Sequence, residues 1–183
     1  MFRLRRFTTA VNVALLMFVA ASVRAQSSER TPPSELKKWD VWIGDWALSG
    51  SAKDAPSTPE YKVDWSLHER WILGGFFVQV EQAWKANGQE LHSLEILGYD
   101  PAQKIHTVSG FSSDGTTWSL TATLDAATTR EDGKSIDPNG QATTCHTTWT
   151  FSDDGKALSG TQECEQSGAR WIAFQVKGTR TSR

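Results

Sequence analysis

The four histidines are the side chains of this sequence best suited to acid–base chemistry near neutral pH. Apolar and polar residues alternate around each of them, and this alternation predicts on which face of its strand each histidine lies. His68, His106 and His146 are predicted to point outward, and His92 is predicted to point inward. A single inward histidine is more often a hydrogen-bonded core residue than a base. The sequence therefore predicts no catalytic residue.

Motifs that carry chemistry by themselves are missing from the sequence. It has no Gly-x-Ser-x-Gly elbow, no phosphate-binding glycine loop, no Cys-x-x-Cys and no two histidines at metal-ligand spacing. The carboxylates Asp64, Glu81, Glu95 and Glu163 are predicted on outer faces, where they are expected to be solvated. We therefore expect no metal, no cofactor and no carboxylate pair for acid–base catalysis.

The nine tryptophans are many for a chain of 183 residues. Trp65, Trp84, Trp118 and Trp149 alternate with the predicted inner faces, so they either fill the interior or line a cavity. A cavity would suit a small apolar or aromatic ligand with few polar anchors, for which Gln82, His92 and Gln162 are the inward candidates. The predicted ligand-binding residues are Trp65, Phe76, Val80, Gln82, His92, Trp118, Trp149 and Gln162.

The elements that would position these side chains are short strands. Leu36, Trp39 and Ile43 recur at helical spacing and predict a short amphipathic helix over 33–43, after which helical periodicity does not return. Turn dipeptides then separate alternating runs: Asn87-Gly88, Asp114-Gly115, Asp132-Gly133, Asn139-Gly140 and Asp154-Gly155. The predicted strands are 44–51, 60–70, 75–85, 90–99, 104–113, 116–125, 141–152, 157–165 and 170–181, with one uncertain strand at 126–136.

Eight to ten sequential strands favour an all-β fold, a closed antiparallel up-and-down barrel preceded by the short helix, because closure removes exposed edges. Around Asn87-Gly88 a three-residue loop keeps the apolar residues on one face and leaves Glu95 outside. Around Asp114-Gly115 the pairing of Ser113 with Thr116 places Ile105, Phe111, Trp118, Leu120 and Leu124 on one side.

The Asp154-Gly155 hairpin predicts a disulfide. Pairing Asp153 with Lys156 sets Cys145 opposite Cys164, at a separation that a disulfide spans. An even cysteine count in an exported chain favours the same bond. The alternative is two buried thiols.

The seam of the barrel should join the first strand to the last. Parity along the last strand places Ile172, Phe174, Val176 and Arg180 on the inner face, like Trp46 across the seam. Arg180 is then predicted to lie over the Trp46 indole as a cation–π pair. A solvated C-terminal arginine is the alternative.

The N-terminus has the order of a signal peptide: Arg3, Arg5 and Arg6, an apolar run over 11–23, and small residues before cleavage after Ala25. The run is shorter than the roughly 20 residues of a membrane span, so no membrane anchor is expected. Residues 1–25 form the predicted signal peptide, 26–33 a flexible leader and 34–183 a single barrel domain. A periplasmic or secreted location follows.

Charge excludes some partners. Residues 1–25 hold four of the 19 Lys and Arg and none of the 21 Asp and Glu, so the mature chain is more acidic than the net −2 of the whole sequence. Nucleic acid and anionic membrane surfaces attract basic faces and are not expected as partners.

The segment Trp42-Ile43-Gly44-Asp45-Trp46 looks like the Gly-x-Trp opening of lipocalin-like (calycin) barrels, in which a short helix precedes the first strand. Further segments resemble a bacterial family of exported proteins known only as a domain of unknown function: ERWILGGFF at 69–77, LGYDP at 97–101 and KGTR at 177–180. The resemblance covers nearly the whole mature chain and implies a barrel of the lipocalin and fatty-acid-binding type. It brings no catalytic residues, and fold likeness does not establish function.

The sequence departs from the haem-binding members of the broader barrel group. Those relatives have a longer glycine-rich opening and a late histidine ligand. Here Ala47-Leu48-Ser49-Gly50 follows Trp46, and no histidine follows His146. Haem is therefore not expected.

Three functions remain open from the sequence. The first is a protein that binds or carries a small hydrophobic molecule inside the barrel. The second is an isomerase or hydrolase that acts on such a molecule in the same cavity, with His92 as its base. The third is a packed barrel whose outer surface binds another envelope protein. The sequence leaves the oligomeric state open.

Overall fold

Ten antiparallel strands make up most of the described chain. The computed structural model describes residues 30–182, so the predicted signal peptide and the first residues of the predicted leader lie outside the described residues. Residues 30–33 have no regular secondary structure, and 3-10 helices lie at Ser34–Val41 and Leu73–Gly75. The strands are β1 (Gly44–Ala52), β2 (Tyr61–Ile72), β3 (Phe77–Ala86), β4 (Gln89–Asp100), β5 (Ile105–Ser112), β6 (Thr117–Leu124), β7 (Thr128–Ile136), β8 (Ala142–Phe151), β9 (Ala157–Gln166) and β10 (Ala169–Ser182).

Each strand pairs with its neighbours along the chain, and β10 pairs with β1 to close the barrel. The β1–β10 ladder runs from Asp45 opposite Ser182 to Ala52 opposite Phe174. Closure leaves no unpaired strand edge in the ladder. The predicted closed antiparallel barrel is confirmed, and the uncertain strand at 126–136 is β7.

The N-terminal 3-10 helix covers one end of the barrel, which we call the closed end. Leu36 and Trp39 are buried there, and the Trp39 indole donates to the Gly98 carbonyl at 3.4 Å. Trp42, which follows the helix, donates to Thr129 Oγ1 at 3.2 Å. The predicted helix is therefore present at its expected place, as a 3-10 helix that closes the barrel.

The turn between β3 and β4 has two residues, so the predicted three-residue loop is wrong. Asn87 (φ 51°) and Gly88 (φ 77°) are both left-handed, as a type I′ turn requires. The twist of this turn matches that of the strands. The resulting register sets Glu95 opposite Val80 on the inner face and turns His92 outward. Turn geometry therefore outweighs the cost of placing a carboxylate inside.

The predicted register between β5 and β6 is wrong by one residue. Ser112 N–H donates to the Thr116 carbonyl at 2.8 Å, so Ser112 and not Ser113 lies opposite Thr116. The same register sets Gly110 opposite Trp118. A Cβ on residue 110 would lie 1.9 Å from the Trp118 ring, so only glycine lets the indole cross the neighbouring strand.

This shift exchanges the two faces of β5. His106 and Val108 are buried, whereas Phe111 is 54% exposed and Ile105 is only partly buried. The predictions of an outward His106 and of inward Ile105 and Phe111 are therefore wrong. A one-residue slip reverses every side chain of a strand, so these errors have one cause.

Asp132-Gly133 is not a turn, because it lies within β7. A Cβ on Gly133 would lie 2.3 Å from the Ser119 carbonyl oxygen of the neighbouring strand. The glycine permits a close approach of two backbones in the barrel wall.

A bulge in β10 changes the predicted inner face of that strand. The register shifts between Ile172 and Phe174, and Ile172 is 40% exposed. Phe174 and Val176 are buried as predicted, but Trp171 takes the inner position before the bulge. The bulge adds one residue to β10, so from Phe174 onward the residues that face inward are the predicted ones.

The predicted disulfide between Cys145 and Cys164 is present. The two cysteines are directly opposed in the β8–β9 ladder, with Cα atoms 4.1 Å apart. The bond joins neighbouring strands near the open end of the barrel, opposite the closed end.

The predicted contact between Arg180 and Trp46 is also present. The guanidinium carbon lies 4.4 Å from the Trp46 ring centroid. Arg180 donates to the carbonyl of Val41 at 2.5 Å, to that of Ile43, and to that of Gly155 at 3.2 Å. One side chain therefore ties the 3-10 helix to the seam of the barrel.

We expect the Cys145→Ala, Cys164→Ala double variant to lose about 3 kcal/mol of unfolding free energy, because the bond closes a loop with a sequence separation of 19. Urea unfolding without reductant measures the loss. Reductant should lower the stability of the wild type by a similar amount and leave the double variant unchanged. A double variant as stable as the oxidised wild type contradicts the prediction.

We expect Arg180→Ala to lower the unfolding free energy by about 2 kcal/mol or more, since it removes the cation–π contact and the charged hydrogen bonds to the helix carbonyls. Urea unfolding provides the measurement. Arg130→Ala is the matched control, because Arg130 makes an exposed ion pair with Asp125 and its loss should cost less than about 0.5 kcal/mol. Equal effects of the two substitutions would show that Arg180 does not hold the seam.

Candidate functional site

The open end of the barrel leads into a cavity of about 360 Å³, which we call the outer cavity. Polar and apolar residues both line it, and its aromatic residues are Tyr61, Trp65, Trp84, Trp118, Trp149, Trp171 and Phe174. Towards the closed end lies a smaller space of about 30 Å³, which we call the inner chamber. Five residues line both spaces and mark their junction: Trp65, Gln82, Glu95, Glu131 and Trp149.

Three glutamates from three strands line the inner chamber. Glu69 comes from β2, Glu95 from β4 and Glu131 from β7. Glu69 is 2% exposed, whereas Glu95 and Glu131 are half-buried because part of their surface faces the cavity. The prediction that Glu95 lies on an outer face is wrong, for the reason given by the β3–β4 turn.

Tryptophan indoles supply hydrogen bonds to this polar layer. Trp118 donates to Glu95 Oε1 at 2.7 Å, and Trp149 donates to Glu131 Oε2 at 3.2 Å. Trp65 donates to Gln82 Oε1 at 3.1 Å, and the Gln82 side chain also hydrogen-bonds to Glu95. The tryptophans therefore both wall the cavity and fix the orientation of its polar groups.

Burial raises the pKa of all three glutamates. The pKa of Glu95 rises to about 7, although the hydrogen bonds from Trp118 and Gln82 oppose the rise. The pKa of Glu131 rises to about 8, because burial is reinforced by the charge of Glu95. Burial and the charges of Glu95 and Glu131 raise the pKa of Glu69 well above its usual value, against the opposing charge of Arg180. Carboxyl groups that stay partly protonated near pH 7 can both donate and accept hydrogen bonds.

Glu69 has an unpartnered oxygen. Its Oε2 is buried and has no hydrogen-bond partner. An unsatisfied buried polar atom costs about 1–3 kcal/mol, so such atoms are uncommon in proteins. The chamber therefore contains a buried polar atom that a bound group could satisfy.

Six of the eight predicted ligand-binding residues line the outer cavity or the inner chamber: Trp65, Val80, Gln82, Trp118, Trp149 and Gln162. Phe76 lies in the turn before β3 and lines neither space. His92 has a side chain that is 66% exposed and lies 3.6 Å from Glu90 on the outer surface. The prediction of an inward His92 beside Gln82 is therefore wrong, because it depended on the three-residue loop.

The other histidines do not reach the cavity. His68 and His146 are exposed as predicted, and each contacts an aspartate. His106 is buried against Trp39 and its ring nitrogen hydrogen-bonds to the Glu35 carbonyl at 3.0 Å, so it belongs to the closed end.

The sequence contained a signal for one of the missed glutamates. Val63, Trp65 and Leu67 alternate on the inner face of β2, and Glu69 is the next residue of the same parity. Glu131 had no such signal, because the strand that carries it contains few apolar residues.

Neither a metal-ligand cluster nor a membrane-spanning helix is found in the described part of the chain. Within residues 30–182 no group of three or more His, Cys, Asp or Glu side chains is arranged to hold a metal ion. In the same range no helix has the length and hydropathy to span a membrane.

We expect the unfolding free energy to fall as the pH rises from about 4.5 to about 8. Over this window Glu95 and Glu131 keep protons in the folded protein that they lose in the unfolded chain. Glu131→Gln stays neutral, so its stability relative to the wild type should rise by roughly 2 kcal/mol between about pH 5 and pH 8.5. Urea unfolding at the two pH values measures this difference.

Glu163→Gln is the matched control, because Glu163 is an exposed glutamate on the outer face. Its stability should follow that of the wild type at both pH values. If Glu131→Gln and Glu163→Gln show the same pH dependence, Glu131 is not held protonated by burial.

Solved structures share the fold, and a family model matches the sequence. No curated protein matches the sequence. Among solved structures 16 chains match, and one of them is Rv2717c from M. tuberculosis, with 13% identity and a TM-score of 0.61 over 82% of this chain and 99% of that chain. At this identity the likeness shows the fold alone. The model of a protein family of unknown function, DUF1579, matches residues 32–180, and the chain belongs to this family.

Proposed function

We propose that this protein is an exported barrel that binds and carries a small aromatic or apolar molecule in its outer cavity. The observation that carries the proposal is an open cavity of about 360 Å³ whose wall includes seven aromatic residues. This volume lies in the range of small-molecule sites, and a cavity of about 150 Å³ is already large enough for benzene.

The arrangement of the rings supports an aromatic ligand. The Trp65 ring centroid lies 4.7 Å from that of Trp84 and 5.4 Å from that of Phe174. Trp149 lies 5.5 Å from Phe174. Because these rings pack against one another, they are held in place before a ligand enters. A preformed wall reduces the entropy lost on binding.

Export is part of the proposal. The Cys145–Cys164 disulfide supports it, because disulfides persist in oxidising compartments and are rare in the cytosol. The signal-peptide pattern of residues 1–25 supports the same location.

The alternatives have less support. An enzyme that uses His92 loses its base, because that side chain is on the outer surface. The groups left for such chemistry are Glu95 and Glu131, whose pKa values near neutrality suit proton transfer. A packed barrel that acts only through its outer surface does not account for the cavity.

The neutral fluorescent probe N-phenyl-1-naphthylamine tests the proposal. We expect saturable one-to-one binding, detected as energy transfer from the cavity tryptophans to the probe. Ser93→Trp places a large ring in the outer cavity, which Ser93 lines, and should weaken binding at least about tenfold.

Ser119→Trp is the matched control, because Ser119 is exposed on the outer face of β6 and the substitution adds the same fluorophore. Circular dichroism checks that both variants are folded. Unchanged affinity in folded Ser93→Trp, or no saturable binding to the wild type, would overturn the cavity as the binding site.

A further inference from the structure

We propose that the ligand carries a protonated amino group, held by Glu69, Glu95 and Glu131 in the inner chamber while its aromatic body lies in the outer cavity. This inference rests on the binding function proposed above and names the class of ligand.

The two spaces differ in size and in the number of carboxyl groups that line them. Tryptophans line both, but Glu69 lines only the inner chamber, where it joins Glu95 and Glu131 from the junction. The inner chamber, at about 30 Å³, has room for a small polar head or a water molecule but not for a ring. A ligand that enters from the open end would therefore place its body among the tryptophans and its head among the glutamates.

The charges in the chamber favour a cation. Of the described residues that line the inner chamber, none is a lysine or an arginine. The positive charge that acts on Glu69 comes from Arg180, which is itself held at the closed end by Trp46 and by the carbonyls of Val41 and Ile43. The carboxyl groups therefore outnumber the nearby positive charges.

The unpartnered oxygen of Glu69 gives an independent reason for a donor. Glu69 is 2% exposed, lines the chamber and leaves Oε2 without a hydrogen bond. An ammonium group has three donors and no acceptor, so it complements a set of carboxylate acceptors. Glu95 has hydrogen bonds from Trp118 and Gln82, and Glu131 has one from Trp149. A carboxylate accepts up to about four hydrogen bonds, so both glutamates keep acceptor positions.

The aromatic junction also favours a cation. Trp65 and Trp149 line both spaces, so a head group that passes from one to the other contacts their rings. A cation within about 6 Å of an indole centroid is attracted by the ring quadrupole. Neutral alcohols and acids lack this contribution, and an anionic head would be repelled by the glutamates.

Binding of a cation should displace protons. Glu69, Glu95 and Glu131 face the chamber from β2, β4 and β7, with Arg180 behind Glu69 on β10 and Asp132 next to Glu131 on the outer face. Lys53, Asp54 and Asp114 lie at the open end. Near pH 7 part of the carboxyl set is protonated. An ammonium stabilises the ionised form, so a carboxyl proton passes to the buffer while the ammonium keeps its own.

The test compares 2-phenylethylamine with 2-phenylethanol, which has a similar shape and a neutral head. Each compound competes with bound N-phenyl-1-naphthylamine at about pH 7. We expect the amine to displace the probe at a concentration at least about tenfold lower than the alcohol. The preference should weaken as the pH falls from about 8 to about 6, because the glutamates become protonated.

Glutamate variants show which residues cause the preference for the amine. Glu95→Gln and Glu131→Gln should each lose most of the preference for the amine, and Glu163→Gln on the outer face should keep it. Calorimetry on the wild-type protein tests the same inference and does not depend on whether a variant folds. Titration of 2-phenylethylamine in phosphate and in HEPES, which differ in ionisation enthalpy and contain no primary amine, should give release of up to about one proton per amine bound.

Two results separate this inference from the binding function. If N-phenyl-1-naphthylamine binds but the amine displaces it no better than the alcohol, or releases no proton, the amine inference is overturned and the binding function stands. If N-phenyl-1-naphthylamine itself does not bind, the binding function fails and the inference fails with it.

Discussion

The pairing of β10 with β1 is the constraint on which the interior depends. Once the ladder is closed, alternate residues of every strand must face inward, and no strand can rotate without breaking hydrogen bonds on both sides. Arg180 lies at this seam, over Trp46 and against carbonyls at the end of the 3-10 helix and just after it. Arg180 therefore both fixes the 3-10 helix over the closed end and links it to the β1–β10 seam. The 3-10 helix covers that end of the barrel, and the other end is open.

Closure explains how three glutamates come to lie inside an otherwise largely apolar barrel. Their positions follow from the parity of β2, β4 and β7, and the cost of burying them is reduced by partial protonation and by indole donors from Trp118 and Trp149. Apolar residues at these positions would make a more stable core. The ligand proposed above accounts for a cluster that lowers stability in this way beside an open cavity.

The sequence predicts the fold more closely than it predicts the site, and single residues show why. Strand positions, the closed ladder, the disulfide and the Arg180–Trp46 contact follow from alternation and turn residues that the sequence displays directly. The assignment of inner faces failed where burial of apolar side chains was used to choose a register. At Asn87-Gly88 the type I′ turn determines the register even though Glu95 then points inward, and at Gly110 the space needed by the Trp118 ring determines it. The alternation within one strand does not predict either register, because each depends on how that strand meets its neighbour.

Protons and a cationic ligand are alternative ways to neutralise the same chamber. In the empty barrel the raised pKa values of Glu95 and Glu131 keep protons on the carboxyl groups, which limits the repulsion among three buried charges. A bound ammonium would take over that role and allow the glutamates to ionise. In the proposed complex, ligand binding and pH are therefore linked through one set of groups. The cation adds most stability on the alkaline side of neutrality, where the ionised glutamates destabilise the fold most, and acid weakens its binding. The tryptophans have little part in this exchange, because their indole donors serve the carboxyl groups in either state and their rings provide the apolar surface for the rest of the molecule.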